Sequence, residues 1–329
     1  MERSIDLKKA LPLSLVAGFF ITFLVVNPSR YIASVSRSLI LFAKAVLPSL
    51  FPFLFFSSLL TCVGGGYLLG KVFAKPVSKI FHAPPVSGYV MILSLISGYP
   101  VGSKIICDLY QAGMLTTEDA KHITAFCSTS GPLFILGTVG ATLFQSSYLG
   151  WVLLSCHVLG ALINGILFRP KKQDFSPILP SVQQVDSLLD ACIKNSVNTI
   201  LAIGGYITIF GMIGDVLVDV GLVDLVGKIL GFILSPFRAP NDLCYGVALS
   251  FIELTRGFDY IAESGVKTTT ALPYLAGLLS LGGACITFQS MSFLSKCGIK
   301  ASYYILTKLS QASITFGLSL LTCLAVNFG

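Results

Sequence analysis

Apolar stretches close to the length of a bilayer recur along this chain and leave few places for charge. A helix needs about 20 mostly apolar residues to cross the hydrocarbon core. The runs 11–26, 39–62, 117–145, 147–168, 190–218 and 302–326 fit that or come close, and 268–296 does so with an interruption. Charged residues make up 11% of the sequence and hydrophobic ones 54%. A soluble domain carries about 25% charge, so the bilayer is the solvent for most of this chain. That excludes a cytosolic enzyme and a secreted disulfide scaffold. The Lys and Arg residues are scattered rather than clustered, so the net charge of +7 is no nucleic-acid footprint. The nine Cys form no CxxC pair and no zinc spacing, and read as small buried hydrophobes with no metal. There is no Walker loop, GxSxG or HExxH motif, and no other sign of an enzyme.

Two further apolar regions do not read as simple spans. Residues 85–114 and 241–265 are each broken in the middle by polar and Gly/Pro residues. Each follows an amphipathic stretch, 63–82 and 220–238. The order of elements therefore occurs twice. Ala83-Pro84, Tyr89, Gly113, Thr116-Thr117 and Gly131 are echoed by Ala239-Pro240, Tyr245, Gly265, Thr268-Thr269 and Gly283. If each broken region is a re-entrant hairpin, each copy crosses the membrane an odd number of times, and the second is inverted relative to the first. Inverted repeats are a recurrent plan of secondary transporters.

The expectation is an all-α polytopic membrane protein with about seven transmembrane helices plus two re-entrant hairpins. Residues 1–38 hold a retained first helix and an outer loop. Residues 39–168 form the first repeat: a span, an interfacial helix at 63–82, the hairpin 85–114, the broken span 117–145 and the span 147–168. A cytoplasmic loop, 169–185, follows. Residues 186–329 form the second repeat: a span, an interfacial helix at 220–238, the hairpin 241–265, the broken span 268–296 and the span 302–326. With the N-terminus inside, Lys71, Lys75, Lys79, Lys121, Arg169 and Lys171 all fall on the inner face. That agrees with the positive-inside bias.

Chemistry is expected where the helices break, because bare backbone at membrane depth must line a cavity or be buried in protein. The first hairpin tip carries Ser97, Gly98, Tyr99, Pro100, Gly102, Ser103 and Lys104. Its helix restart offers free N–H groups and suits an anion. The matching tip carries Glu253, Thr255, Arg256 and Gly257. Asp108 is placed to offset Lys104, and Glu253 and Asp259 to offset Arg256. The unwound spans carry Thr129, Ser130 and Gly131 in one copy and Gly283, Thr287 and Gln289 in the other. Lys44, Lys308 with Gln311, His157 with Asn164, and Asn195 with Asn198 read as hydrogen-bonding glue between spans.

The runs Leu47-Pro48-Ser49-Leu50-Phe51-Pro52-Phe53, Ser97 through Lys104, Leu109 through Thr116, and Ser128-Thr129-Ser130-Gly131-Pro132-Leu133-Phe134 resemble the YlbJ family of sporulation integral membrane proteins. Its members are also called stage V sporulation protein VV and carry the nucleoside-recognition, or gate, domain. The strong resemblance covers roughly 44–168; the second half is similar in layout. The resemblance implies transport of dipicolinate across the outer forespore membrane. It also implies a fold similar to concentrative nucleoside transporters, in which two hairpins and two unwound helices enclose the substrate in a mobile domain. Carried over, Ser97 through Lys104 form the tip and Thr129-Ser130-Gly131 the unwound helix. The second-copy residues are placed by the internal repeat alone. The chain lacks the Gly-Gln-Thr-Glu type of tip of the nucleoside transporters. Dipicolinate is a small planar dianion, and Lys104 and Arg256 are expected to take one carboxylate each. The coupling ion, H+ or Na+, and a homo-oligomer are left open. The alternatives are another small anion, a nucleoside-like solute, or a non-transporting membrane scaffold.

Overall fold

The computed structural model describes residues 7–171 and 188–325, and all elements among them are helical. The expected loop from 172 to 185 lies outside the described residues. Helix α1 (Leu7–Val26) bends by 107° into α2 (Pro28–Leu41). Pro28 sits at the first helical position, where its missing N–H breaks no hydrogen bond and its fixed φ favours the helix. Residues 28–38, expected as an outer loop, are therefore helical. A π-helical stretch, Phe42–Val46, joins α2 to α3 (Leu47–Cys62).

From there one series of elements runs twice. In the first half α3 is followed by α4 (Gly65–Phe81), the pair α5 (Ser87–Ser97) and α6 (Val101–Gln111), and α7 (Thr117–Cys127). Then come a π-helix, Leu133–Leu143, and α8 (Ser147–Leu167). In the second half α9 (Leu188–Asp219) is followed by α10 (Leu222–Leu234) and the pair α11 (Asn241–Ser250) and α12 (Leu254–Glu263). Then come α13 (Thr268–Leu281), α14 (Gly283–Leu294) and α15 (Ala301–Ala325). The backbone repeats as well. Helices α4 and α10 each start after a left-handed glycine, Gly64 at φ +75° and Gly221 at φ +73°. Each leads to a left-handed L-residue, His82 at φ +51° and Arg238 at φ +53°. Such residues are uncommon outside glycine, and these two stand directly before the repeated Ala-Pro pairs.

The paired helices fold back on themselves. In the second pair, a Cβ on Gly246 would lie 2.3 Å from the Ile261 side chain, and one on Gly257 would lie 2.5 Å from the Ser250 nitrogen. Those contacts run in opposite senses along the two arms, so the arms are antiparallel. In the first pair, Gly102 faces Ser94. Each 11-residue arm of the first pair is about 16 Å long, half the thickness of a hydrocarbon core. Each pair builds the apolar core of its own half. Tyr89, Ile105, Ile106 and Phe126 are buried in one core, and Leu243, Phe258, Ile261 and Leu275 in the other.

Length and apolarity pick out three candidate spans, Ser147–Leu167, Leu188–Asp219 and Thr268–Cys297, or four if the bent α1–α2 pair counts as one. The sequence led to about seven. The difference has two sources. The 39–62 and 117–145 regions are helices joined through π turns or an unwound segment, each piece too short alone. Helix α15 is long enough, but it turns a polar stripe inward: Thr307, Lys308, Gln311, Thr315 and Ser319 are buried while Leu306, Leu309, Leu320 and Leu324 are exposed. Polar inside and apolar outside is the arrangement a bilayer favours.

Candidate functional site

Each hairpin tip docks on the broken helix of its own half, and glycines set how closely. Gly98 closes α5 at φ +81°, and a Cβ there would fall 2.4 Å from the Gly131 nitrogen. A Cβ on Gly102 would fall 2.0 Å from the Cys127 carbonyl oxygen. Ser94 Oγ donates to that same carbonyl, and Thr129 Oγ1 donates to the Ser94 carbonyl at 3.2 Å. The unwound Ser128–Gly131 segment thus finds its partners in the hairpin. In the second half, the Ala284 N–H donates to the Phe251 carbonyl at 2.8 Å and the Cys285 N–H to the Ile252 carbonyl at 3.2 Å. The first N–H groups of α14 are therefore filled by the tip itself. Glu253 accepts from the Thr255 and Arg256 N–H groups at 3.2 and 2.9 Å, so it caps α12. The anion place at that helix start, expected to be open, is taken by this carboxylate. Gly283 at φ +66° lies against the Ser250 carbonyl, Thr287 Oγ1 donates to the Gly283 carbonyl, and Gln289 Nε2 points to Cys285 Sγ at 3.1 Å. At the first tip, Ser97 Oγ and Ser103 Oγ are buried with no hydrogen-bond partner.

The two predicted cations do not share a site. Lys104 is buried and pairs with both oxygens of Asp108, one turn along α6, at 2.5–2.6 Å. Arg256 reaches Asp215 on α9 at 2.5 Å and the Gly211 carbonyl at 3.0 Å. Asp215 also holds Arg37 of α2 at 2.9 Å. Asp259, the expected partner, makes no ion pair with Arg256. Lys104 faces the Asn195–Tyr206 stretch of α9, whereas Arg256 grips Gly211 and Asp215. The middles of those stretches are about 20 Å apart along the helix at 1.5 Å per residue. One small dianion cannot bridge them, which corrects the expectation that Lys104 and Arg256 take one carboxylate each.

Lys104 opens instead onto a cavity of about 280 Å³ between α6, α9 and α14. Asp108 and Gln111 line it from α6, Asn195, Asn198, Thr199 and Tyr206 from α9, and Ser292 and Lys296 from α14 and the turn that follows. Of the predicted tip and break residues, Lys104 alone lines it. Two lysines face one aspartate there, leaving one positive charge in excess among amide and hydroxyl donors. Lys296 is exposed, and no carboxylate pairs with it among the described residues. A second cavity of about 270 Å³, at the start of α7, carries Glu118 and Asp119 beside Lys121 and is less suited to an anion. Asn195 and Asn198 are expected from sequence as glue between spans. Asn195 does donate to Ser58 Oγ at 3.3 Å, but both asparagines also line the cavity.

Between the two breaks lies a buried polar core. Lys308 Nζ donates to Tyr99 Oη at 3.0 Å, to Gln311 Oε1 at 2.6 Å and to the Ser128 carbonyl. Tyr99 Oη donates to the Ser280 carbonyl at 3.1 Å. His157 Nε2 accepts the Ser130 N–H at 2.8 Å, and its Nδ1 meets Ser280 Oγ at 2.8 Å. Asn164 Nδ2 donates to the Ala125 and Thr307 carbonyls at 2.8 and 3.1 Å. Lys308, His157 and Asn164 do join spans, and they join them at the breaks. Lys44 is exposed and stands outside this core. Among the described residues no group of three His, Cys, Asp or Glu side chains could hold a metal ion.

Two antiparallel helix pairs, each docked on a broken helix, define a class. This is an integral membrane protein with the fold of a concentrative nucleoside transporter. Its fold aligns with a variant of CNTnw in the intermediate 3 state at a TM-score of 0.53, covering 96% of this chain and 85% of that one at 16% identity. The chain is also similar in sequence to a sporulation membrane protein. It is 26% identical over 323 residues to the sporulation integral membrane protein YlbJ of Bacillus subtilis (strain 168), covering 90% of this chain and 79% of the relative. No family model matches the chain.

Proposed function

We propose that this protein is a secondary transporter of a small organic anion, with dipicolinate as the substrate that the resemblance to the YlbJ family implies. The observation that carries the reading is the cavity of about 280 Å³, where Lys104 and Lys296 outnumber Asp108 among neutral donors. Its volume lies just under the range of ligand pockets for drug-sized molecules, about 300 to 1,000 Å³, as a small solute requires. Lysine takes an anion as a point charge, and the amides of Asn195, Asn198 and Gln111 can orient it. Two walls of the cavity, α6 and α14, belong to the hairpin and the broken helix. The third, α9, is tied to α2 through Asp215, to the π stretch through Gly204 against Phe42, and to α3 through Asn195. Sliding the first assembly past the second, with release of the Arg256–Asp215 pair, would open the cavity to one side and then the other, with the hairpins as re-entrant elements. Lys104 keeps its counter-charge on its own helix, so it can travel without breaking the pair.

Purified protein in liposomes with labelled dipicolinate tests this. Saturable uptake, competed by other pyridine dicarboxylates and not by uridine, is the expected result. Absence of uptake above empty liposomes would sink the reading. The fold likeness favours one alternative, a nucleoside-like solute, and competition by uridine would select it.

A further inference from the structure

Lys308 lies about two turns into α15 with 1% of its surface exposed. Among the described residues no Asp or Glu pairs with it. An ammonium has three donors and no acceptor, and here each donor meets a neutral oxygen: Tyr99 Oη, Gln311 Oε1 and the Ser128 carbonyl. The rings of Tyr99 and Tyr304 lie 5.1 and 5.9 Å from Nζ, an arrangement that favours a cation. Ser128 ends α7, where the last carbonyls of the helix carry partial negative charge. Three neutral oxygens at the negative end of a helix are what a protein offers a monovalent cation. In this chain the cation is covalently its own.

The neighbours leave Lys308 as the charge carrier. From α8, His157 Nε2 accepts a backbone N–H, so that nitrogen bears no proton and the ring is neutral. Helix α7 contributes Cys127, and the hairpin tip contributes the Tyr99 hydroxyl. Helix α13 offers the Ser280 hydroxyl and carbonyl, α14 the Ser290 hydroxyl, and α15 itself Tyr304. Gln311 turns its oxygen to Lys308 and leaves Nε2 buried with no partner. That orientation suits a protonated lysine. A neutral amine has two N–H groups and a lone pair, so one of the three bonds must go, and the amide of Gln311 is free to flip. The two remaining N–H groups still reach Tyr99 and Ser128, but they lose their charge assistance and the cation–π contact, so protonation sets how tightly the first tip and the first break are held to α15.

We propose that Lys308 is a proton-binding site at the first break, so that movement of the first hairpin is coupled to H+ and not to Na+. The proposal rests on the transporter reading, and its test has an arm that does not. In detergent, the wild-type unfolding midpoint is expected to be the same in sodium chloride and choline chloride. A rise specific to sodium would overturn the proposal. Lys308→Ala empties the cation place, and its lowered midpoint is expected to recover in methylammonium or sodium chloride; no recovery counts against it. Lys308→Gln, polar and uncharged, serves where the alanine variant fails to fold. In liposomes, an inward pH gradient without sodium is expected to drive labelled dipicolinate uptake. Lys308→Gln is expected to cut that driven uptake at least about tenfold, the change that 1.4 kcal/mol produces. Exchange of solute at equal pH should survive in that variant. Uptake driven by a sodium gradient would overturn the assignment while the transporter reading stands. If wild type moves no solute in any gradient, that reading fails, and the unfolding comparison still judges Lys308.

Discussion

The two hairpins hold equivalent places in their halves, yet each satisfies its cation differently. In the first, Lys104 finds Asp108 on its own helix and faces a cavity. In the second, Arg256 reaches across to Asp215 of α9, which also holds Arg37 of α2. A local pair moves with its helix, whereas a long-range pair anchors one element to another. By its ion pairs the first hairpin is thus free of α9, and the second is clamped to it. A cation recurring at the same place in a repeat need not do the same work.

The largest effects are expected from the glycines that set the docking. A Cβ on Gly102 would meet the Cys127 carbonyl oxygen at 2.0 Å, and one on Gly257 would meet the Ser250 nitrogen at 2.5 Å. The first clash lies between hairpin and broken helix, the second between the arms of one hairpin. Overpacking costs about 1–3 kcal/mol and occasionally more, and backbone atoms cannot yield as a side-chain end can. Gly102→Ala and Gly257→Ala are each expected to lose about 3 kcal/mol or more, read as a collapse of the folded peak in detergent. A tolerated Gly102→Ala would mean that the first tip does not rest on its break.

Next come the counter-ions. Asp215→Asn strands Arg37 and Arg256, whose side chains are 65% and 34% exposed. Breaking a fully buried pair costs about 3–5 kcal/mol. Solvent screening of these arginines brings the expected loss to roughly 2 kcal/mol. Asp108→Asn strands Lys104, whose side chain is only 8% exposed, so screening offsets less and the expected loss is about 3 kcal/mol. Thermal unfolding of both variants measures the difference, and equal losses would erase the contrast between the screened and the buried cation. The double variant Lys104→Met with Asp108→Asn removes the pair together. It is expected to fold close to wild type and to lose about tenfold or more of anion uptake.

Much of this arrangement was legible because Gly and Pro cannot continue a helix. Gly98, Pro100 and Gly102 marked one tip, Ser128 through Pro132 one break, and Gly282-Gly283 the other. The pairing of charges was not. Asp215 lies in a long apolar run forty-one residues before Arg256, and nothing local ties them, while Glu253, the nearer candidate, was claimed by the backbone of α12. Residues 28–38 read as a loop because Ser and Arg interrupt them. Their buried face, Tyr31 and Ser34, becomes meaningful only against α9, where Asp215 and Asp219 stand one turn apart to receive Arg37 and Arg30. The inward stripe of α15 carried a signal that could have been found. Tyr304, Lys308, Gln311, Thr315 and Ser319 recur at three- and four-residue steps. In a bilayer helix that period marks the face turned from lipid.

The smallest effect tests the equivalence itself. Gly113 and Gly265 each follow the second arm of a hairpin, both at φ +72°, and a Cβ on either would meet nothing within 4 Å. With no clash to absorb, alanine at either place should cost the left-handed penalty alone, about 1 kcal/mol. The two losses should agree within about 0.5 kcal/mol, and the double variant should show their sum, since distant sites add. Unfolding midpoints of Gly113→Ala, Gly265→Ala and the pair supply the numbers. A larger loss at Gly265 would mean that the Arg256 clamp stiffens the turn at the far end of α12. The two hairpins would then differ along their whole length rather than at their cations alone.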